Sequence, residues 1–400
     1  MSGPDLCPGP RGAGRRGAAL ALVLLGVLAT AAATNCLPGP ERAPLVLTSG
    51  TSVAAGADAR AGHTTRGGER AVDEVRRAAA EAEADGKSGA RAAEEAVGRS
   101  GDRWGAVYDR AQYEQYEDAL EGRYTGVGLW LARTADGRTE VTRVQDDGPA
   151  ARAGVRPGDF LRAVDGRPTQ GQPVTDVVAR LRGDAAGSRV ALDLSRGTRA
   201  WTLTLGRAVL AAQDVSVTDL SAKVVMIKVA AFTKGTGERV RGAARRAPKG
   251  AGILLDLRGN SGGLVTEATT AASAFLDGGL VATYDVHGRQ HALYAQGGGD
   301  GTRPLVVLID GGTMSAAELL TGALQDRGRA VTVGARTFGK GSVQMPTGLA
   351  GGAVAELTVG HYRTPAGHAL DGSGITPDLP VTDHPLEHAE TVLSGLGGAR

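Results

Sequence analysis

The stretch Leu305–Gln344, LVVLIDGGTMSAAELLTGALQDRGRAVTVGARTFGKGSVQ, decides how this chain is read. Its opening LVVLID is an apolar run of strand length, Gly311-Gly312 makes a sharp turn, and Ser315–Gln325 carries helical periodicity. A strand, a tight turn and a helix form a nucleophile elbow, in which one side chain stands exposed at a sheet's edge. Ser315 holds that place. Ser315-Ala-Ala-Glu318 also fits a capping box, a purely structural use of a serine. Glu318 can cap the helix through a backbone group and leave the Ser315 hydroxyl available. Lys340 follows in a glycine-rich, mostly apolar turn. To act as a general base its amine must be neutral, well below the ordinary pKa of about 10.4, and burial drives it that way. Phe338, Val343 and Met345, with no adjacent carboxylate, suit that requirement, and the uncharged Gln344 can orient the amine. Ser315 and Lys340 together can thus make a nucleophile and its base without a histidine.

Around this stretch the chain alternates strands and helices. VVMIKVAAF precedes a helix at Gly235–Ala247, GILLDLR precedes one at Leu264–Phe275, and AVTVGA and AVAELTVGHYRT supply further strands. That pattern predicts a layered α/β domain over 208–380, with a tail of few core residues at 381–400. Upstream, residues 123–207 break into short alternating strands with helical pieces at Gly148–Ala153 and Pro173–Leu181. Residues 67–122 read as helical: a polar helix over Gly68–Arg99, then a helix or helical pair over Trp104–Leu120 with Trp104, Tyr108, Tyr113, Tyr116 and Leu120 at helical spacing. Residues 35–66 read as a linker. Residues 1–34 read as a signal peptide or membrane anchor, because Arg11, Arg15 and Arg16 precede the apolar stretch Ala18–Ala33. The bulk of the chain is therefore expected outside the cytoplasm, secreted or membrane-anchored.

A formal charge of +2 points away from nucleic acid, and Cys7 and Cys36 alone make no disulfide framework. The histidine pairs His287/His291 and His384/His388 lack a nearby third ligand, so no metal site is expected, nor any cofactor. Two glycine motifs mislead. Gly259-Asn260-Ser261-Gly262-Gly263 looks like the nucleophile motif of trypsin-like proteases, yet only His63 precedes it, in the linker. Gly334–Gly341 nearly matches a phosphate-binding loop, but Gly341 stands where the magnesium-binding hydroxyl belongs and a strand follows.

The run Asp147–Asp165, DGPAARAGVRPGDFLRAVD, resembles the central signature of a PDZ domain. That likeness implies capture of a peptide C-terminus by strand addition. Gly126, Val127, Gly128 and Leu129 would form the carboxylate-binding nest, and Val178, on the apolar helix Val174–Leu181, the opposing wall. An uncharged wall would favour apolar C-terminal tails. Gly126 and Gly128 opening a mere tight turn is the alternative.

Together, Gly312-Thr-Met-Ser-Ala-Ala-Glu-Leu, Thr337-Phe-Gly-Lys-Gly-Ser-Val-Gln and Asp256-Leu-Arg-Gly-Asn-Ser-Gly-Gly-Leu resemble the C-terminal processing peptidases, or tail-specific proteases. The likeness runs from about Tyr108 to Leu379, PDZ included. It implies an α/β (α+β multidomain) fold, a Clp protease/crotonase-like core preceded by a PDZ domain and an N-terminal helical region. It also implies Ser315 as nucleophile, Lys340 as general base, Gln344 as third member, and backbone N–H groups of Ala316 and Gly262 (or Ser261) as oxyanion donors. The expected substrates are proteins or peptides with apolar C-terminal tails. The alternative is a catalytically idle PDZ scaffold that binds such tails, which would follow if Lys340 pointed to solvent.

Overall fold

The computed structural model describes residues 61–398 apart from 184, 287 and 288. The expected leader, both cysteines and most of the linker lie outside the described residues. Among the described residues no helix is long and apolar enough to cross a membrane.

The N-terminal region comprises α1 (Ala61–Ala84), α2 (Gly89–Ser100), the short strand β1 (Ala106–Tyr108) and α3 (Arg110–Leu120). Helix α1 begins inside the stretch read as linker. The helix expected from Trp104 starts later than its spacing suggested, because Asp109 caps α3. Its Oδ1 accepts the Gln112 N–H and its own N–H donates to Gln112 Oε1, both at 2.9 Å. Trp104 consequently sits in a turn and Ala106–Tyr108 is extended. Tyr108, Tyr113 and Tyr116 still gather, with ring centroids 4.9–6.3 Å apart.

The second domain runs through β2 (Arg123–Gly126), β3 (Leu129–Arg133), β4 (Thr139–Val144), α4 (Pro149–Arg152), β5 (Phe160–Val164), β6 (Arg167–Pro168), α5 (Val174–Leu181), β7 (Arg189–Arg196), β8 (Arg199–Gly206) and β9 (Ala208–Ala211). Strands β3-β4-β5-β7-β8 form an antiparallel sheet, with β6 paired to β5. Along β7, Val190, Leu192 and Leu194 point into the core while their neighbours do not, the period of two that a one-sided sheet requires. Strands β2 and β9 pair with each other, so the chain enters and leaves this domain through one ribbon.

The third domain contains β10 (Val215–Ser221), β11 (Val224–Val229), α6 (Thr236–Arg246), β12 (Gly252–Asp256), α7 (Val265–Ala272), β13 (Leu280–Val286), β14 (Arg289–Tyr294), β15 (Leu305–Ile309), α8 (Ala316–Asp326), β16 (Val331–Gly334), β17 (Ser342–Gly348), β18 (Val354–Arg363), β19 (Leu379–Pro380) and α9 (Pro385–Gly398). Its main sheet is β10-β11-β12-β15-β16-β19, parallel except for β10 against β11. Every residue of β12 and β15 is buried, as strands covered on both faces must be. Ile253, Leu255, Val307 and Ile309 face α6–α8, whereas Leu254, Val306 and Leu308 face α9. A second sheet orders β1-β18-β13-β14, with β17 also on β18. It draws the N-terminal region in, since Ala106 pairs with Glu356 and α1 and α2 pack Val75, Ala79, Ala93 and Val97 against Ala355 and Leu357.

The C-terminal segment departs from its expected role as a tail. Ala389 and Leu393 of α9 are 0% and 3% exposed and close the far face of the main sheet. Their signal is faint because few side chains of α9 are buried, and the sheet makes room for one of them at Gly252, where a Cβ would lie 2.8 Å from Leu393 Cγ. We predict that Leu393→Ala lowers stability by about 2–5 kcal/mol in urea unfolding. An unchanged midpoint would mean that α9 contributes nothing to the core.

Candidate active site

Strand β15 ends at the Asp310–Met314 turn, and Ser315 follows at φ 52°, ψ −118°, immediately before α8. A non-glycine residue at positive φ is strained, and surrounding bonds must hold it there. Asp310 Oδ1 accepts the N–H groups of Gly312 at 2.8 Å and Gly259 at 2.9 Å, tying the two glycine turns together. Met314 N–H donates to the Asn260 carbonyl at 2.8 Å. A Cβ on Gly262 would lie 2.9 Å from Ser315 Cβ and 3.2 Å from Ala316 N, so only glycine lets that turn approach the elbow so closely. Ala316, at the start of α8, is fully buried beside it.

Glu318 binds the elbow to the lysine loop. It is fully buried. One of its oxygens accepts Ser315 N–H at 2.9 Å and Lys340 N–H at 2.8 Å; the other accepts Thr337 Oγ1 at 2.6 Å and Gly339 N–H at 2.7 Å. Burial raises the Glu318 pKa above the ordinary value, and these four bonds oppose that rise.

Lys340 and Gln344 arrive here on the loop after β16 and on β17, though not in the arrangement the sequence suggested. No hydrogen bond joins Lys340 Nζ to Ser315; the amine lies 5.2 Å from the ring centroid of Trp104. Part of the Lys340 side chain meets solvent, yet burial lowers its pKa against the pull of Glu356, Asp102, Asp371 and Glu318. The expected absence of a nearby carboxylate is therefore wrong, because β18 brings in Glu356, distant in sequence. Burial drives the Glu356 pKa up to about 7, with Lys340 and a hydrogen bond from Tyr116 holding it back. Of the expected apolar neighbours, Val343 is buried, but Phe338 and Met345 are each 43% exposed, so the cover comes from elsewhere. The Gln344 amide donates to the Trp104 carbonyl rather than orienting the amine. Trp104 itself was missed as a site residue; its helical spacing disguised it.

The Gly262 N–H, expected as an oxyanion donor, has a partner within its own turn. The Gly262 N–H donates to Asn260 Oδ1 at 2.9 Å, and the Asn260 Nδ2 in turn donates to the Val229 carbonyl at 3.0 Å. That N–H is thus directed into the turn. Below it, buried Asp256 accepts Arg258 Nε at 2.8 Å and Lys228 Nζ at 3.2 Å. Burial works to raise the Asp256 pKa, but these cations hold it below the usual carboxylate value.

In the second domain, Gly126, Val127, Gly128, Leu129 and Val178 do come together, lining a cleft of about 160 Å³ with Leu181 and Arg182. Gly128 has φ 79°. The wall is not uncharged: the Arg182 guanidinium lies 4.5 Å from the Tyr124 ring centroid. Burial lowers its pKa to about 10, opposed by Tyr124 and Asp214. Gln213 and Ala230 of the third domain complete this cleft.

Residues 223–381 match the model of peptidase family S41, and residues 140–196 that of a PDZ domain. A carboxy-terminal-processing protease of Bartonella bacilliformis is 33% identical over 289 residues, 70% of this chain and 66% of the relative. A carboxyl-terminal-processing protease of Synechocystis sp. is 35% identical over 285 residues, 69% of this chain and 66% of that protein. The chain thus spans just under two thirds of the length of these curated relatives. Among solved structures, a photosystem II D1 C-terminal processing protease superposes with a TM-score of 0.50 at 29% identity, covering 78% of this chain and 86% of that one. With the Ser315 elbow in place and the PDZ domain ahead of it, residues 223–381 of this chain form a domain of peptidase family S41.

Proposed function

We propose that this chain is a serine endopeptidase that receives protein C-terminal tails on its PDZ domain and cleaves them through Ser315 and Lys340. The observation that carries the reading is the Glu318 carboxylate, which holds the serine elbow and the lysine loop on one anchor. Lys340, made more acidic by burial, takes the proton from Ser315 as its oxygen attacks a peptide carbonyl. The acyl-enzyme then reacts with water. Because no hydrogen bond yet joins the amine to the serine, the lysine side chain must swing toward Ser315 for this step; catalytic contacts often tighten only in the substrate complex. Ala316 N–H supplies one oxyanion donor, and with Gly262 N–H turned to Asn260 the second comes from Ser261 or Gly263. Each donor contributes roughly 3 kcal/mol to the transition state.

The tail's carboxylate would meet the Gly126–Leu129 backbone with Arg182 as its cation, and apolar side chains would lie along Val178 and Leu181. Ala230 links this cleft to the catalytic turn, since Phe232, two residues on, exchanges backbone bonds with Gly262 and Leu264 at 2.9 and 2.7 Å. Tail docking and oxyanion geometry would be coupled by that path. The proposed setting is extracytoplasmic, on the strength of the apolar segment Ala18–Ala33.

An unstructured polypeptide ending in apolar residues should be cleaved by the wild type and not by Ser315→Ala or Lys340→Ala; equal cleavage by all three would leave only the idle scaffold. Glu318→Ala should cut the rate at least about 100-fold and lower the melting temperature, because each buried donor left without an acceptor costs about 1–3 kcal/mol. Wild-type rates in that variant would remove the anchor from the mechanism. Glu356 holds the proton on Lys340. Glu356→Gln should therefore ease its loss and move the acidic limb of kcat/KM down by about one pH unit. A limb moved upward would contradict that sign.

A further inference from the structure

The N-terminal region touches the catalytic centre at one turn. Asp102 Oδ2 accepts the Thr358 N–H at 2.7 Å, and its Oδ1 accepts Thr358 Oγ1 at 2.8 Å. The same Oδ1 takes the N–H groups of Trp104 and Gly105, each at 3.0 Å. Thr358 is the register partner of Gln344, so the turn is clamped directly across β18 from the residue it serves. Immediately after it, β1 pairs with β18. Behind it, a Cβ on Gly105 would come within 2.6 Å of Val97 Cγ1, so the turn is pressed against α2 with no room to retreat. Trp104 then presents its ring to Lys340 Nζ and its carbonyl to the Gln344 amide. Phe338 supports the ring at 5.6 Å between centroids, and the Arg103 guanidinium lies 4.5 Å from it.

We propose that Trp104 is a positioning residue of the Ser315–Lys340 centre: its ring roofs the lysine amine against water and its carbonyl holds the Gln344 amide. The proposal rests on the Ser–Lys reading above and adds the N-terminal region to the reacting machinery. The charged groups facing Lys340 are Glu356 on β18, Asp102 in the turn, Asp371 beyond β18 and Glu318 on α8, and all of them hold the proton on. Trp104 opposes them by excluding water. Its ring also attracts an ammonium, but an ammonium that loses the ring gains hydration in exchange, and hydration is the stronger partner. Removing the ring therefore makes the amine harder to deprotonate.

The test uses the full chain and a labelled unstructured polypeptide ending in Val-Ala-Ala, with kcat and KM measured across pH. Trp104→Ala should move the acidic limb up by about one unit, a fraction of the shift that complete burial brings. Below that limb kcat should fall about tenfold while KM changes little. Trp104→Phe, which restores a ring, should return the limb toward wild type. Should Trp104→Ala fail to fold, Trp104→Gln, bulkier and polar, carries the same expectation. An unmoved limb in the folded variant, a faster Trp104→Ala enzyme, or a Trp104→Phe limb displaced as far as that of Trp104→Ala would overturn the proposal. Ser315→Ala and Lys340→Ala run alongside. If they are inactive and the Trp104 limb stays put, only this inference fails; if they cleave normally, the Ser–Lys reading fails with it.

Discussion

The Glu318 carboxylate is the constraint on which the centre depends. It is fully buried and spends both oxygens on donors from two separate segments, the Ser315 elbow and the Thr337–Lys340 loop. Together with the Phe338 N–H bond to the Thr313 carbonyl at 3.0 Å, that anchor gives the strained Ser315 backbone and the lysine loop a shared reference. A negative charge is costly to bury, and four hydrogen bonds offset much of that cost. The capping box visible in the sequence therefore does two things at once. It closes the α8 end and fixes where the lysine backbone must run.

Around this anchor the site is a set of turns, each pinned by one carboxylate. Asp310 joins the Gly259 and Gly312 turns, Asp102 fastens the Trp104 turn to β18, and Asp256 locks Arg258 and Lys228 under the Gly259–Gly263 turn. Rigid parallel strands deliver the chain ends to one place, and these acids decide the conformation beyond them. A short turn gives backbone N–H groups no strand partner, so a side-chain acceptor must supply one.

What was legible in the sequence had local causes. The apolar runs GILLD and LVVLI announce strands buried on both faces, the alternation in RVALDLSR announces a one-sided sheet, and Gly311-Gly312 before Ser315 announces the elbow. What was not legible depends on partners far along the chain. Glu356 is an ordinary acid until β18 carries it toward Lys340. Trp104 sits at helical spacing with Tyr108 and Tyr116, and only pairing with β18 makes β1 a strand. Gly262 looked ready to donate its N–H, but that group is claimed by Asn260, two residues before it. Helix α9 reads as a polar tail because its contribution rests on Ala389 and Leu393 meeting a sheet face that nothing in its own neighbourhood reveals.

The order of the chain has a consequence of its own. The PDZ domain closes on contacts within Arg123–Ala211, so it can fold as soon as that stretch has been made. Strand β1 was made earlier still, yet its partner β18 begins only at Val354. Long-range pairing of this kind is slow and comes late. Newly synthesised chain therefore possesses a folded PDZ domain before β18 exists, while its cleft still waits for Gln213 and Ala230 and the Trp104 turn still waits for its strand partner.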